Sequence, residues 1–212
     1  MAAKKATKGK AARKSKPPIA DGIVDASVEI AAEKGWHGVS LAEVADAIGE
    51  PLGAIVAVYP TTDRIASVLF HRIDQRVLSQ VQSVDVSETP KDRLFEILMM
   101  RFDALQEQRT LYVSIIHHMR QRPAALILRA PAVAHSMALM LIASGIEVTS
   151  LFGMARTHIL AVAYGALLRT WLKDDSLDMS QTMSAVDKIL NGLESAQRMV
   201  CRSRSGEKGG ED

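Results

Sequence analysis

Apolar residues recur along this chain at spacings of three and four, the period of an α-helix with one buried face. The stretch ADGIVDASVEIAAEKGW places Ile23, Ala26, Ile30 and Ala31 together. Gly35 stops that helix, with Lys34 in its last turn. SLAE then announces a second helix: Ser40 is the N-cap, Glu43 completes a capping box, and Val44, Ala45 and Ile48 share a face that ends at Gly49. Pro51 suits the first turn of a third helix, in which Leu52, Ile55, Val56 and Tyr59 continue the apolar face up to Pro60. Thr61 or Thr62 caps a long fourth helix. The pattern predicts further helices over 90–105, 107–120 and 123–144, with Pro131 kinking or breaking the last of these. Two clear ones follow, MARTHILAVAYGALLRTWLKD and SLDMSQTMSAVDKILNGLESAQRMV. No stretch reads as a strand, so an all-α fold is expected.

Composition agrees and narrows the class. Hydrophobic residues make up 48% of the 212 but aromatics only 4%, so the core must be aliphatic, with ten Met contributing. A single Cys excludes an intrachain disulfide framework and suits a reducing cytoplasm, the expected location. The runs around MALMLIASGI and ILAVAYGALL are interrupted by Gly or polar residues and read as buried helices, so no transmembrane segment is expected. The net charge of +2 is unevenly spread. Residues 1–16 hold seven Lys or Arg and no acid, which leaves the rest at −5. Such a leader is either a solubilising tail or an electrostatic arm for phosphates. Four segments result: a basic tail over 1–17, a small helical unit over 18–66, a larger one over 67–200, and a polar tail over 201–212.

The small unit has the spacing of a helix-turn-helix. Ala45 lets two helices cross closely, Gly49 offers a turn open to positive φ, and Val44, Ile48 and Ile55 wedge the pair against the first helix. The stretch IVDASVEIAAEKGWHGVSLAEVADAIGEPLGAIVAVYPTTDRI resembles the TetR family of bacterial transcriptional regulators. The resemblance rests on Glu33-Lys34-Gly35-Trp36, the Ser-Leu-x-x-Val-Ala helix, the following Gly, and an aromatic-Pro pair closing the third helix. It implies an all-helical homodimer with an N-terminal DNA-binding domain and a larger domain for ligand binding and dimerisation. It also implies DNA contacts from Ser40, Leu52, Gly53, Ala54, Ala57, Thr61 and Thr62, with Lys14 and Lys16 of the tail alongside.

The chain departs from the family at these positions. Val56, Tyr59, Thr61 and Thr62 stand where a Tyr-x-x-Phe and a Ser-Lys pair are usual. Leu52, Gly53, Ala54 and Ala57 can touch thymine methyls but cannot form bidentate contacts to base edges. Between Pro17 and Ala66 eight acids face only Lys34 and Arg64, a net charge of −6 that opposes phosphate binding unless the tail compensates.

The larger unit reads as a Met-rich helical interior. An effector pocket is expected among Met99, Met100, Phe102, Tyr112, Ile115, His118, Met119, Met137 and Met140, open to a small apolar molecule or lipid; a packed core with Met as filler is the alternative. His117 and His118, about 100° apart on a helix, cannot chelate one ion together, and no metal or cofactor is expected. No nucleophile elbow, phosphate-binding Gly loop or acid–base pair appears, so no enzymatic activity is expected. Tyr164, Leu168, Trp171, Met183, Val186 and Leu190 are the expected dimer interface in a four-helix bundle, or else intrachain core. The combined expectation is a ligand-responsive transcriptional regulator that binds DNA as a homodimer. Gly35-Trp36 and AVAYGALLRTWLKDDSLDMSQTMSAVDKIL also resemble TetR-fold accessory proteins of ubiquinone biosynthesis, which implies a lipid-binding alternative that no longer reads DNA.

Overall fold

A computed structural model describes residues 19–81 and 87–207, with side chains described outside 123–125 and 196–207. The basic tail, including Lys14 and Lys16, lies outside the described residues. Among those residues the chain is helical and without strands. The order is α1 (Ile19–Lys34), a short 3₁₀ turn (Trp36–Gly38), α2 (Leu41–Ile48), α3 (Leu52–Val58), α4 (Thr62–Gln80), α5 (Pro90–Gln106), α6 (Arg109–Arg120), α7 (Pro123–Ala143), α8 (Leu151–Trp171) and α9 (Ser180–Glu207).

Helices α1 to α3 and the start of α4 close around Ile23, Val24, Val44, Ala45, Ile55, Ile65 and Ala66, all buried. Helix α4 then runs unbroken past residue 66 and enters a second layer, where it packs on α5 and α7 while α8 packs on α7 and α9. The apolar interior is one contiguous cluster from Ile23 to Leu190. Helices α4, α5 and α8 begin where short polar side chains take up a free amide of the first turn. Thr61 accepts from the Arg64 amide, Thr89 from Asp92, and Ser150 from Gly153.

Three features differ from the expectations. First, α7 continues through Pro131, because the carbonyl that loses its partner belongs to Ile127, on the exposed side where water can replace it. Second, α7 and α8 are each long and apolar enough to cross a membrane by length and composition. Mean hydropathy is 1.7 over Leu126–Ala143 and 1.4 over Leu151–Trp171. Gly165, which looked like an interruption, is absorbed into α8, whereas Ser144 and Gly145 end α7. Both helices also show apolar side chains outward instead of being buried all round: Leu128 of α7 is 80% and Leu151 of α8 79% exposed. Third, α9 runs past residue 200 to Glu207.

The start of α9 is held from a distance. Asp174 is buried, and its Oδ2 accepts from both the amide and the hydroxyl of Thr182 at 2.7 Å. Its Oδ1 accepts from the Ser176 amide at 3.2 Å and from the Ser176 hydroxyl. Burial pushes this carboxyl up, but these four hydrogen bonds outweigh it and hold the pKa at about 2, below the ordinary 3.8. Asp174→Ala should therefore lower unfolding free energy by about 2 kcal/mol near neutral pH. The stabilisation is fully present above the unfolded pKa and is lost as pH falls from about 4 toward 2. Denaturant titrations of both proteins should show the gap between them narrowing over that window.

Candidate nucleic-acid interface and interior polar cluster

Helices α2 and α3 cross as a helix-turn-helix. Ser40 accepts from the Glu43 amide at 3.2 Å, as the capping box requires. The Glu43 carboxylate, however, accepts from the Ser40 hydroxyl at 3.1 Å and from Lys34 Nζ at 2.7 Å, so it ties α2 to the end of α1. Lys34 and then Ser40 hold the Glu43 carboxyl below its usual range. Gly49 takes the turn at φ 69°, as its placement predicts, and its amide closes on Ala45 and Asp46.

The third helix buries only Ile55 fully. Leu52, Gly53, Val56 and Ala57 are exposed and Ala54 is half-buried. The apolar face expected to include Leu52 and Val56 therefore does not point inward. A seven-residue helix touching its neighbours along one edge has room for one such anchor. Thr61 is exposed and Thr62 half-buried at the start of α4, beside exposed Arg64. Arg64 was absent from the expected DNA-facing residues, although its place three residues after the N-cap Thr61 marks it as a first-turn cation at a helix N-terminus.

The acidity of the small unit is partly met by arginines of the longer helices. Arg72 bonds Asp21 at 2.8 Å and Asp25 at 3.3 Å, and Arg122 approaches Asp63 at 3.4 Å. Arg129 of α7 donates to the Asp63 carbonyl and, at 2.9 Å, to the Ser67 hydroxyl. The first turn of α4, next to α3, is thus gripped by two arginines from the larger unit.

A second junction is built on Trp36. Its ring is 1% exposed and its amide donates to Ser114 Oγ of α6 at 2.7 Å. Gly35 leads into it at φ 73°, and a Cβ there would meet Ser114 Oγ at 3.2 Å and the His37 ring at 3.0 Å. An open cleft of about 750 Å³ lies alongside, between His37 and residues of α6 from Arg109 to His118, with Gln121 just beyond that helix. Another, of about 500 Å³, separates α5 from the start of α9.

Of the nine residues expected to line an effector pocket, only His118 borders either cleft. Phe102, Tyr112, Ile115, Met119, Met137 and Met140 are packed core, and Met99 and Met100 lie half-buried against it. Here methionine fills space between helices. Among the described residues no group of three or more His, Cys, Asp or Glu side chains is gathered for a metal ion. The expected interface residues also divide. Tyr164, Trp171, Val186 and Leu190 are buried within the chain itself, Leu168 is half-buried, and Met183 is exposed. Trp171 donates to Gln106 Oε1 at 3.0 Å and carries the Arg109 guanidinium 4.8 Å above its ring. The outward face of α8 is a different set: Leu151, Phe152, Met154, Ile159 and Val162.

Within the core sits a polar cluster that the sequence did not announce. Asp74 of α4 accepts from Ser136 of α7 at 2.9 Å and pairs with Arg101 Nη1 of α5 at 2.9 Å. The Arg101 guanidinium lies 5.0 Å from the centre of the Tyr164 ring. Arg101 is 3% and Tyr164 2% exposed. The Arg101–Asp74 contact is close but misaligned for hydrogen bonding. Arg101 Nε and Nη1 and the Tyr164 hydroxyl therefore have no hydrogen-bond partner among the described residues. Nearby, burial drives the Tyr112 phenol up to about 12 against the opposing charge of Arg101.

No protein-family model and no curated protein sequence matches the chain. Solved structures do. A TetR transcriptional regulator from Nitrosomonas europaea is 23% identical with a TM-score of 0.65, over 82% of this chain and 96% of that one. A TetR transcriptional regulator from Rhodococcus sp. RHA1 is 21% identical with a TM-score of 0.60, over 82% and 95%. The chain shares their all-α fold, including the helix-turn-helix.

The crowding at Gly35 contrasts with Gly53, which has open space around it inside α3. Gly35→Ala should cost about 1–3 kcal/mol through its positive φ and the pressure on Ser114. Gly53→Ala should instead be neutral or stabilising by up to about 1 kcal/mol. Thermal and denaturant unfolding of the two variants check this pair of opposite outcomes.

Proposed function

We propose that this chain is a homodimeric transcriptional regulator, not an enzyme, which binds DNA through α2 and α3 and answers to a small molecule held by its larger helical unit. The observation that carries the reading is the crossed α2–α3 pair, with the outer side of α3 left uncovered, in a body that shares the fold of structures described as transcriptional regulators.

Leu52, Gly53, Ala54 and Ala57 offer shape and methyl contacts to a major groove. Ser40, Thr61 and Thr62, at the starts of α2 and α4, offer hydroxyls and helix amides to phosphates, with Arg64 adding charge. Direct readout is therefore weak, and affinity depends on Lys14, Lys16 and the other cations of residues 1–16. The dimer forms on the outward apolar face of α8, which supports an isologous contact better than the buried Tyr164 and Trp171 do. An effector acts by favouring one spacing of the two small units over another. The lipid-binding alternative draws no specific support from the geometry.

Fluorescence anisotropy with the DNA upstream of the protein's own gene tests the main reading. Full-length protein should bind it in preference to unrelated duplex. Removing residues 1–16 should weaken binding and flatten the salt dependence, by about 0.9 in log–log slope for each phosphate that is no longer neutralised. Absence of binding by the full chain at low salt eliminates the regulator reading. Separately, Val162→Glu should convert dimer to monomer in sedimentation velocity while leaving helical content unchanged; an unaltered dimer rejects the α8 face as the interface.

A further inference from the structure

The interior polar cluster is costly as it stands. Among the described residues Arg101 Nε and Tyr164 Oη are buried without a hydrogen-bond partner, and Arg101 Nη1 is ion-paired to Asp74 at 2.9 Å without a well-aligned hydrogen bond, in a core where such groups are normally satisfied. They come from α5 and α8, and the Asp74 and Ser136 that complete the cluster come from α4 and α7. Four helices of the larger unit thus converge on one point where the donors of Arg101 and Tyr164 are not fully matched by acceptors.

We infer that this cluster is the recognition point for an uncharged, carbonyl-bearing apolar ligand, whose oxygen accepts from Arg101 and Tyr164. This rests on the effector-responsive reading above and names the chemistry of its ligand. Charge decides between carbonyl and carboxylate. Asp74 already balances Arg101, so a carboxylate would bring an unpaired negative charge into the interior, whereas a ketone or ester supplies lone pairs without one. The surroundings suit an apolar body. Phe102 lies 5.7 Å from the Tyr164 ring and 6.5 Å from Trp171, centre to centre. Met137 and Met140 are the residue after Ser136 and the residue one turn beyond it. Their unbranched side chains can repack around a guest at low cost, so the site opens by side-chain movement and needs no preformed cavity.

The test uses the full-length protein without DNA. Acetophenone and methyl decanoate serve as carbonyl probes, α-methylstyrene and decane as carbonyl-free partners, and benzoate and decanoate as charged partners. Binding is read by ligand-observed NMR and by Trp fluorescence. At least one carbonyl probe should bind about tenfold tighter than its carbonyl-free partner, the worth of a buried hydrogen bond. Tyr164→Phe, which keeps the ring, should cut that preference about threefold or more. Arg101→Met combined with Asp74→Asn, which removes the pair together and strands no charge, should abolish it. If the double variant does not fold, Tyr164→Phe still decides. Four results overturn the inference: neither carbonyl probe binds, neither is preferred over its carbonyl-free partner, the preference survives Tyr164→Phe intact, or a carboxylate binds tighter than its neutral partner. Because no measurement involves DNA, failure here is separable from failure to find an operator.

Discussion

Burial of Trp36 is the constraint on which the placement of the small unit depends. A large ring at the end of α1 must leave water, and α6 receives it. The Ser114 hydroxyl meets the Trp36 amide at the same point, so apolar burial and a hydrogen bond fix one geometry together. Gly35 is required for the chain to turn sharply enough to deliver the ring there. Without this junction, α1 to α3 would be held only by the packing of α1 on α4 and α6. With it they share a continuous interior with the larger helices.

Electrostatics follow from that docking. The small unit is strongly acidic in sequence, yet Asp21, Asp25 and Asp63 face arginines that reach across from α4 and the start of α7. The repulsion of a polyanion implied by counting charges within the unit is therefore softened by residues distant in sequence. The pairs are exposed, so each contributes little to stability. Their larger effect is on the potential of the surface around α3.

The helices and their caps were legible because they depend on local spacing. Ser40 and Glu43 three residues apart, Gly49 after the apolar face and Thr61 before α4 each follow from geometry within one turn. Which side of α8 faces inward was not legible. Both sides are apolar, so periodicity does not choose between Tyr164 with Trp171 and Leu151 with Val162. The filled Met interior was likewise hidden, since cavities depend on how helices pack and not on composition. The Arg101–Asp74–Ser136 cluster joins residues from three helices, and no short window contains it; the Asp174 cap reaches over eight residues to Thr182, past the one-turn spacing by which caps are recognised.

The grip of Arg122 and Arg129 on the first turn of α4 has a mechanical corollary. This helix of 19 residues is about 28 Å long at 1.5 Å per residue. If the grip of α7 at its near end were released while its far end stayed embedded among α5 and α7, it would act as a lever with the third helix at its tip. A tilt of roughly 5° about the embedded end would carry that tip some 2.5 Å sideways, roughly half the rise of one helical turn. Two such levers in a symmetric pair would double the change in reach between their tips, so a small rearrangement of packing in the body would become a large change of span at the far side.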